Sequence, residues 1–328
     1  MRTLYKNYPW LYYFIAVAVL SQVSCFSTKK SVEIAPAVTP FKIDSTEVMS
    51  IIHVLAHDSL KGRALGTPGG AKAAAYLVDY LKKHGIKPYF ETYYDSLETT
   101  RVPGANVVGY LEGNHPELKD EIIVLGAHFD HLGVKFTASG DSIANGANDN
   151  ASGVSAILNI ARYFSEVKTN GRTLIIALFD GEETGLHGSN SLAIRLRKDS
   201  IIPKAMINID MIGTPLENEP GKVYASGFTR STLPLVFNEL SKDTVLVSTD
   251  LDQRMGVFAL SDNYPFYSVL HIPAHSLSTF EFSNYPYYHK VDDEIDKLDV
   301  ENMVNIINNL IPGIEKLSNT LVFNAVLD

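Results

Sequence analysis

The sequence predicts an α/β protein: a three-layer α/β/α sandwich in which helices cover both faces of a mixed, mostly parallel sheet. Three observations predict it. Residues Ile122–Ala127, Thr173–Phe179 and Ala205–Ile209 are short runs dominated by β-branched and large aliphatic side chains, the composition of strands buried on both faces. Helical stretches over about 151–165 and 186–198 lie between them, and strand alternating with helix builds a parallel sheet covered on both sides. Each run also ends in polar, metal-capable residues: His128 and Asp130 after the first, Glu182 and Glu183 after the second, Asp210 after the third. Open α/β sheets bind ligands at the carboxyl ends of their strands, where the strand order reverses.

The remaining elements follow in order. Val48, Ile51, Ile52, Val54 and Leu55 give residues 45–60 a helical apolar spacing. KGRALGTPGG (residues 61–70) is a loop, and its glycine and lysine spacing does not fit a phosphate-binding loop. Thr67 followed by Pro68 is an N-cap and first-turn pair for a helix over about 68–84. After the central strands, further elements are expected at about 222–226, 231–242, 245–248 and 272–280, with a closing helix over about 299–319. No linker composition interrupts residues 42–328, so one domain is expected there.

The chain has 328 residues, 45% of them apolar, enough for one large core or two small ones. Its net charge is −9, from 28 basic and 37 acidic residues, with no Lys/Arg run. That balance argues against nucleic acid as a partner. Arg2 and Lys6 precede the apolar stretch Leu11–Leu20, which is shorter than the roughly 20 apolar residues of a membrane span. It reads as a secretory signal peptide over residues 1–24. Cys25 is the only cysteine, so an intrachain disulfide is excluded. Its local sequence LSQVSC resembles a bacterial lipobox, apart from Gln22 where leucine is usual. Two readings stand: an acylated Cys25 anchoring an exported protein to a periplasmic or outer-membrane surface, or ordinary cleavage near Ser24. Residues 25–41 read as a tether and 42–328 as the working domain.

Five side chains carry the chemistry: His128 in GAHFDHLG, Asp149 in GANDNASG, Glu183 in FDGEETG, Asp210 in NIDMIG and His289 in YYHKVDDE. Two imidazoles and three carboxylates are a ligand set for two adjacent zinc ions with one carboxylate shared. Asp130 is placed to orient His128 through its second ring nitrogen. Glu182 and Glu183 are adjacent acids after a buried strand, and both ionise in one cleft only beside cations. With Glu183 on a metal, Glu182 is left as general base. Asp210 closes a buried strand with no basic neighbour in sequence, which is costly unless it is paired.

These motifs, with the upstream LKGRALGTPGGAKAAAYL and the later SDNYPFY, resemble the secreted di-zinc aminopeptidases of clan MH, over roughly residues 45–325. The resemblance implies a phosphorylase/hydrolase-like fold and peptide substrates. It implies that His128 and Asp210 are the outer ligands of one zinc, Glu183 and His289 those of the other, and Asp149 the bridge. It assigns Glu182 as general base, Asp130 as the partner of His128, and Tyr288 as a hydrogen-bond donor to the tetrahedral oxyanion. It also implies a cis peptide at Asp149–Asn150. Two departures, Asn263 where histidine is common and His271 where glycine is usual, are expected to bear on the substrate pocket.

The expected activity is that of a zinc-dependent exopeptidase, an aminopeptidase. Three alternatives are carried. A carboxypeptidase on the same centre needs a basic pocket, for which Arg254 is the candidate. A glutaminyl cyclase has a tryptophan soon after the paired glutamates, where this chain reads TGLHGSN and has only Trp10. A non-catalytic binding protein is expected to have lost ligands, and here all five are present.

Overall fold

Asp44 caps the first helix, α1 (Ser45–Leu55), by accepting from the N–H groups of Thr46 and Glu47. Val48, Ile51, Ile52 and Leu55 form its buried stripe, the spacing read from sequence. The helix stops at Leu55, short of the expected residue 60, for a local reason. His57 Nδ1 accepts from Ser59 N–H, and a 3₁₀ turn runs over Asp58–Arg63. Inside it Lys61 and Gly62 take left-handed φ values of 50° and 66°, which a right-handed helix cannot continue through. A side chain at residue 62 would meet Gly133 O at 2.6 Å, so this turn needs glycine. Helix α2 (Pro68–Lys83) then starts as expected, with Thr67 accepting from Gly70 N–H.

The computed structural model describes residues 42–135, 140–217 and 219–328. The expected signal segment, Cys25 and the tether lie outside the described residues. Those described belong to one compact unit, Phe41–Asp328.

Strands β1 (Lys87–Pro88), β2 (Tyr94–Ser96) and β3 (Ala105–Leu111) make an antiparallel edge. Next come β4 (Ile122–His128), the short hairpin β5 (Gly133–Val134) and β6 (Ile143–Ala144), α3 (Gly153–Val167), β7 (Thr173–Phe179), α4 (His187–Lys198) and β8 (Ala205–Ile209). The chain closes with β9 (Val223–Ala225), α5 (Leu233–Ser241), β10 (Leu246–Val247), α6 (Leu251–Met255), α7 (Asn263–Leu270), β11 (Ala274–Ser278) and α8 (Val300–Asn319). The main sheet runs β1-β3-β7-β4-β8-β11-β9-β10, with β2 also paired to β3. Its four central strands, β7, β4, β8 and β11, are parallel.

Period-two alternation explains why these central runs are apolar without a break. Ile123, Leu125, Leu174, Ile176 and Leu178 join one core with residues of α1, α2, α3 and α8. Val124, Ile175, Ala177 and Phe179 join the other, with Leu192 and Leu196 of α4 and Phe266 and Leu270 of α7. Both faces are therefore covered, as the three-layer expectation requires. After β4 the chain adds β7 on one side and then crosses to add β8 on the other. That reversal opens a crevice at the carboxyl ends of β4, β7 and β8, and the site lies there.

Candidate metal centre

The sheet brings all five expected metal-seeking residues together. His128 ends β4 and is buried, Glu183 stands in the loop after β7, and Asp210 directly follows β8. Asp149 sits in the turn that opens α3, and His289 sits in the aromatic loop after β11. His128 Nε2 lies 3.4 Å from Asp149 Oδ1 and 3.6 Å from Asp210 Oδ1. His289 Nε2 lies 3.3 Å from Asp149 Oδ2 and 3.0 Å from Glu183 Oε2. The two oxygens of Asp149 thus face two different groups of donors. Glu182 and Tyr288 line the same cleft, and the Tyr288 ring stacks on His289 with centroids 3.8 Å apart.

Neighbouring residues hold this arrangement. The Asp149–Asn150 peptide is cis, as the resemblance implies. Asp293 accepts from Asn148 N–H at 2.7 Å, Asp149 N–H at 3.0 Å and the Tyr285 hydroxyl at 2.6 Å. Asn150 donates to Ile209 O and accepts from Met211 N–H, tying the Asp149 turn to the end of β8. Ser261 donates to Asp210 Oδ2 at 2.6 Å. The Asp130 carboxylate accepts from the N–H groups of Glu182 and Glu183, at 3.0 and 3.3 Å. It lies 3.6 Å from His128 Nδ1, which is 3.3 Å from the Asp130 carbonyl oxygen. The expected bond of His128 to the carboxylate is thus replaced by one to the backbone carbonyl, and the carboxylate shapes the loop of paired glutamates instead.

The electrostatics demand positive charge. Burial raises the Glu182 carboxyl well above the carboxylate range, and Asp262, Asp210 and Glu183 add to it against His128. Burial disfavours the charged form of His128, yet Glu182, Asp130 and Asp210 outweigh it and raise this imidazole well above its ordinary value. His289 follows the same logic: burial lowers it, and Asp149 and Glu183 raise it to about 9. Burial would raise Glu183, but His131 and His289 hold it well below the usual range. Among the described residues, buried Asp210 Oδ1 has no hydrogen-bond partner. Donor atoms of His128, Asp149 and Asp210, and of His131, Asp149 and Glu183, lie within 4.8 Å of one another. Clustered anionic oxygens, an orphaned carboxylate oxygen and imidazoles drawn towards protonation fit cations at this position.

Four contributors escaped the sequence reading: His131, Asp293, Ser261 and Arg63. Arg63 is buried and donates to the carbonyl oxygens of Leu55, Phe129, Asn145, Gly146 and Asp149. Two further expectations need correction. Arg254 is exposed, pairs with Asp250 at 3.2 Å and is not in the cleft wall. Asn263 and His271 do not line the cleft either. They begin and end α7, Asn263 by donating to Phe258 O at 3.1 Å and His271 by taking φ 55° past the last turn. That left-handed position is where glycine is favoured.

Asp180, just before the glutamate loop, is buried with Oδ1 unpartnered among the described residues. Burial first, then Asp130, raises it from 3.8 to about 7. A raised carboxyl contributes stability that is full below the unfolded value and is lost as pH rises through the folded one. Asp180→Asn keeps an acceptor for Ala105 N–H, the donor now held by Oδ2 at 3.2 Å. In the metal-free protein it is expected to stabilise by on the order of 1–2 kcal/mol at pH 8, with the gain shrinking towards pH 5. Calorimetry at the two pH values checks this; an equal change at both would remove titration as the cause.

Comparison with known proteins agrees with the geometry. The model of peptidase family M28 matches residues 106–313, more than half of the chain. A probable zinc metalloprotease of Pyrenophora teres f. teres is 39% identical over 108 residues, 33% of this chain and 22% of that protein. A probable leucine aminopeptidase of Arthroderma benhamiae is 29% identical over 199 residues, 58% of this chain and 50% of that protein. The chain thus spans no more than half the length of these curated relatives. Among solved structures, the LapA aminopeptidase of Legionella pneumophila has a TM-score of 0.67 at 22% identity, over 85% of this chain and 73% of that one. A glutaminyl cyclase of Tannerella forsythia has a TM-score of 0.63 at 18% identity, over 85% of this chain and 100% of that one. A shared fold around this donor set, with the family match across the central strands, leads to one conclusion: the chain belongs to peptidase family M28.

Proposed function

We propose that the protein is a zinc-dependent exopeptidase, an aminopeptidase that releases N-terminal residues. One zinc ion would be held by His128 and Asp210, a second by Glu183 and His289, and Asp149 would be shared. The observation that carries this reading is the division of the Asp149 oxygens, Oδ1 towards His128 and Oδ2 towards His289. The chemistry that zinc supplies in such a site is polarisation of the scissile carbonyl and acidification of water. Glu182, its loop held by Asp130, takes the proton of the attacking water on its carboxylate and returns it to the leaving amine nitrogen. The Tyr288 hydroxyl, kept protonated by burial and the nearby carboxylates, donates to the oxyanion.

The cleft wall favours an amino-terminal over a carboxy-terminal substrate. Among the described residues it contains Asp149, Glu182 and Asp210 but no lysine or arginine. Among the described residues that wall offers a substrate carboxylate no guanidinium or ammonium to pair with, as a carboxypeptidase would need. Val257, Leu260, Phe280 and Phe282, with Tyr224, give one wall an apolar character, so large apolar side chains are the expected first residue. Among the described residues no tryptophan lines the cleft, which argues against the cyclase reading.

A substrate panel tests the reading. Leucine amide is expected to be hydrolysed and its N-acetylated form to resist. A chelator should abolish turnover, and zinc should restore it at two equivalents per chain. Equal cleavage of blocked and free substrates would end the aminopeptidase reading. Ammonia release from an N-terminal glutamine peptide, with leucine amide untouched, would replace it with the cyclase.

A further inference from the structure

Glu183 divides its carboxylate oxygens between two imidazoles. Oε2 faces His289 Nε2 at 3.0 Å, and Oε1 accepts from His131 Nδ1 at 2.6 Å. These distances differ in kind. Donors around one tetrahedral zinc, each about 2.0–2.2 Å from the ion, stand roughly 3.3 Å apart. The separations of His289 from Glu183 and Asp149, 3.0 and 3.3 Å, have that character. The 2.6 Å contact of His131 is instead shorter than that spacing and lies at the short limit of a hydrogen bond. His131 Nδ1 is 3.8 Å from Asp149 Oδ2, too far for a second bond of that type.

His131 has little freedom to do anything else. It is buried, and its ring lies against the backbone of Gly146, where an added Cβ would come within 2.6 Å of Cγ. Its Nε2 has no partner among the described residues. Among the described residues the one short polar contact of the ring is that to Glu183. A carboxylate pinned at one oxygen presents the other with fewer rotamers to lose, and such supporting bonds tune metal affinity.

We propose that His131 is a positioning residue of the metal centre: its Nδ1–H pins Oε1 of Glu183, so that Oε2 alone is presented to the cation. This rests on reading Glu183 as a zinc ligand. It explains why the second imidazole of GAHFDHLG stands next to the ligand set without belonging to it.

The test uses the full chain and its zinc affinity, measured by competition with a chromophoric chelator, together with the melting temperature of the metal-free forms. His131→Asn keeps an amide donor near the Nδ1 position, whereas His131→Gln carries its donor towards Nε2 and His131→Ala has none. The Gln and Ala variants are expected to lose about 10–100-fold in affinity at one site. The Asn variant is expected to stay close to the parent. The d–d absorption of the cobalt-substituted protein should change in Gln and Ala but not in Asn, and metal-free melting temperatures should agree. If Asn falls with Gln and Ala, or if all three bind like the parent, the proposal is overturned. Loss of one whole equivalent in all three variants would make His131 a ligand itself, which also overturns it. If the Ala variant does not fold, the contrast of Asn with Gln still decides. A parent protein that binds no zinc would overturn the proposed function rather than this inference.

Discussion

Replacing Glu182 by glutamine is expected to lower kcat by about 10²–10⁴-fold, the usual contribution of a positioned general base. Zinc content and melting temperature should stay at the parent values. Three observations support so selective an effect. Glu182 lines the cleft, yet none of its oxygens is among the closely grouped donors of His128, Asp149, Asp210, His131 and Glu183. Its loop is held through its backbone N–H by Asp130 at 3.0 Å, a bond that glutamine keeps. Burial, ahead of three neighbouring carboxylates, raises its carboxyl well above the ordinary range in the metal-free protein, and burial favours proton uptake there with or without cations. Glutamine matches its shape and removes only that proton chemistry. A variant that keeps near-parent turnover of leucine amide, with full metal content, would transfer the role of base to another group.

The second large effect concerns stability. Arg63→Met is expected to cost about 3–5 kcal/mol, the range for removing one partner from a buried charge network. The guanidinium supplies donors to five carbonyl oxygens, drawn from α1, the end of β4 and the Asp149 turn. Burial lowers its pKa, and Asp293, Asp149, Asp130 and Glu183 act in the opposite direction, so it also offsets part of the negative charge of the centre. Methionine occupies the site but removes the donors to those carbonyls, of which Gly146 O keeps a second one in Ala151 N–H at 3.3 Å. Arg63→Lys should recover only part of the loss, because a single ammonium cannot reproduce the planar fork. Urea unfolding of the metal-free protein at neutral pH measures both variants. A loss below about 1 kcal/mol for Arg63→Met would mean that water or other donors replace the guanidinium.

The two variants sort what was legible in the sequence from what was not. Glu182 was legible because it follows an apolar run and stands beside a second acid, a local pattern that isolates it. Arg63 was not, since its loop reads only as a glycine-rich connection and its acceptors come from three distant segments. His131 was hidden by parity. In a continued strand its side chain would oppose those of His128 and Asp130, but β4 ends at His128 and the chain turns there. Asp293 was hidden in the acidic run VDDE, which reads as a solvated turn until Asn148, Asp149 and Tyr285 are seen to converge on it. The antiparallel edge strand β3 was missed because it lacks the uninterrupted aliphatic run of the central strands.

By itself the sequence determined the layered α/β architecture, the placing of polar residues at three strand ends and the five-residue donor set. The architecture and the three strand-end residues follow from short-range rules, apolar periodicity and strand length, whereas Asp149 and His289 entered the donor set through their motifs, GANDNASG and YYHKVDDE. Tertiary structure alone decided which oxygen of each carboxylate faces which imidazole, that Asp130 caps the glutamate loop and that Arg63 ties α1, β4 and the Asp149 turn together. Such pairings depend on the register and crossing of segments far apart in the chain, and no local pattern encodes the direction in which a buried side chain finally points.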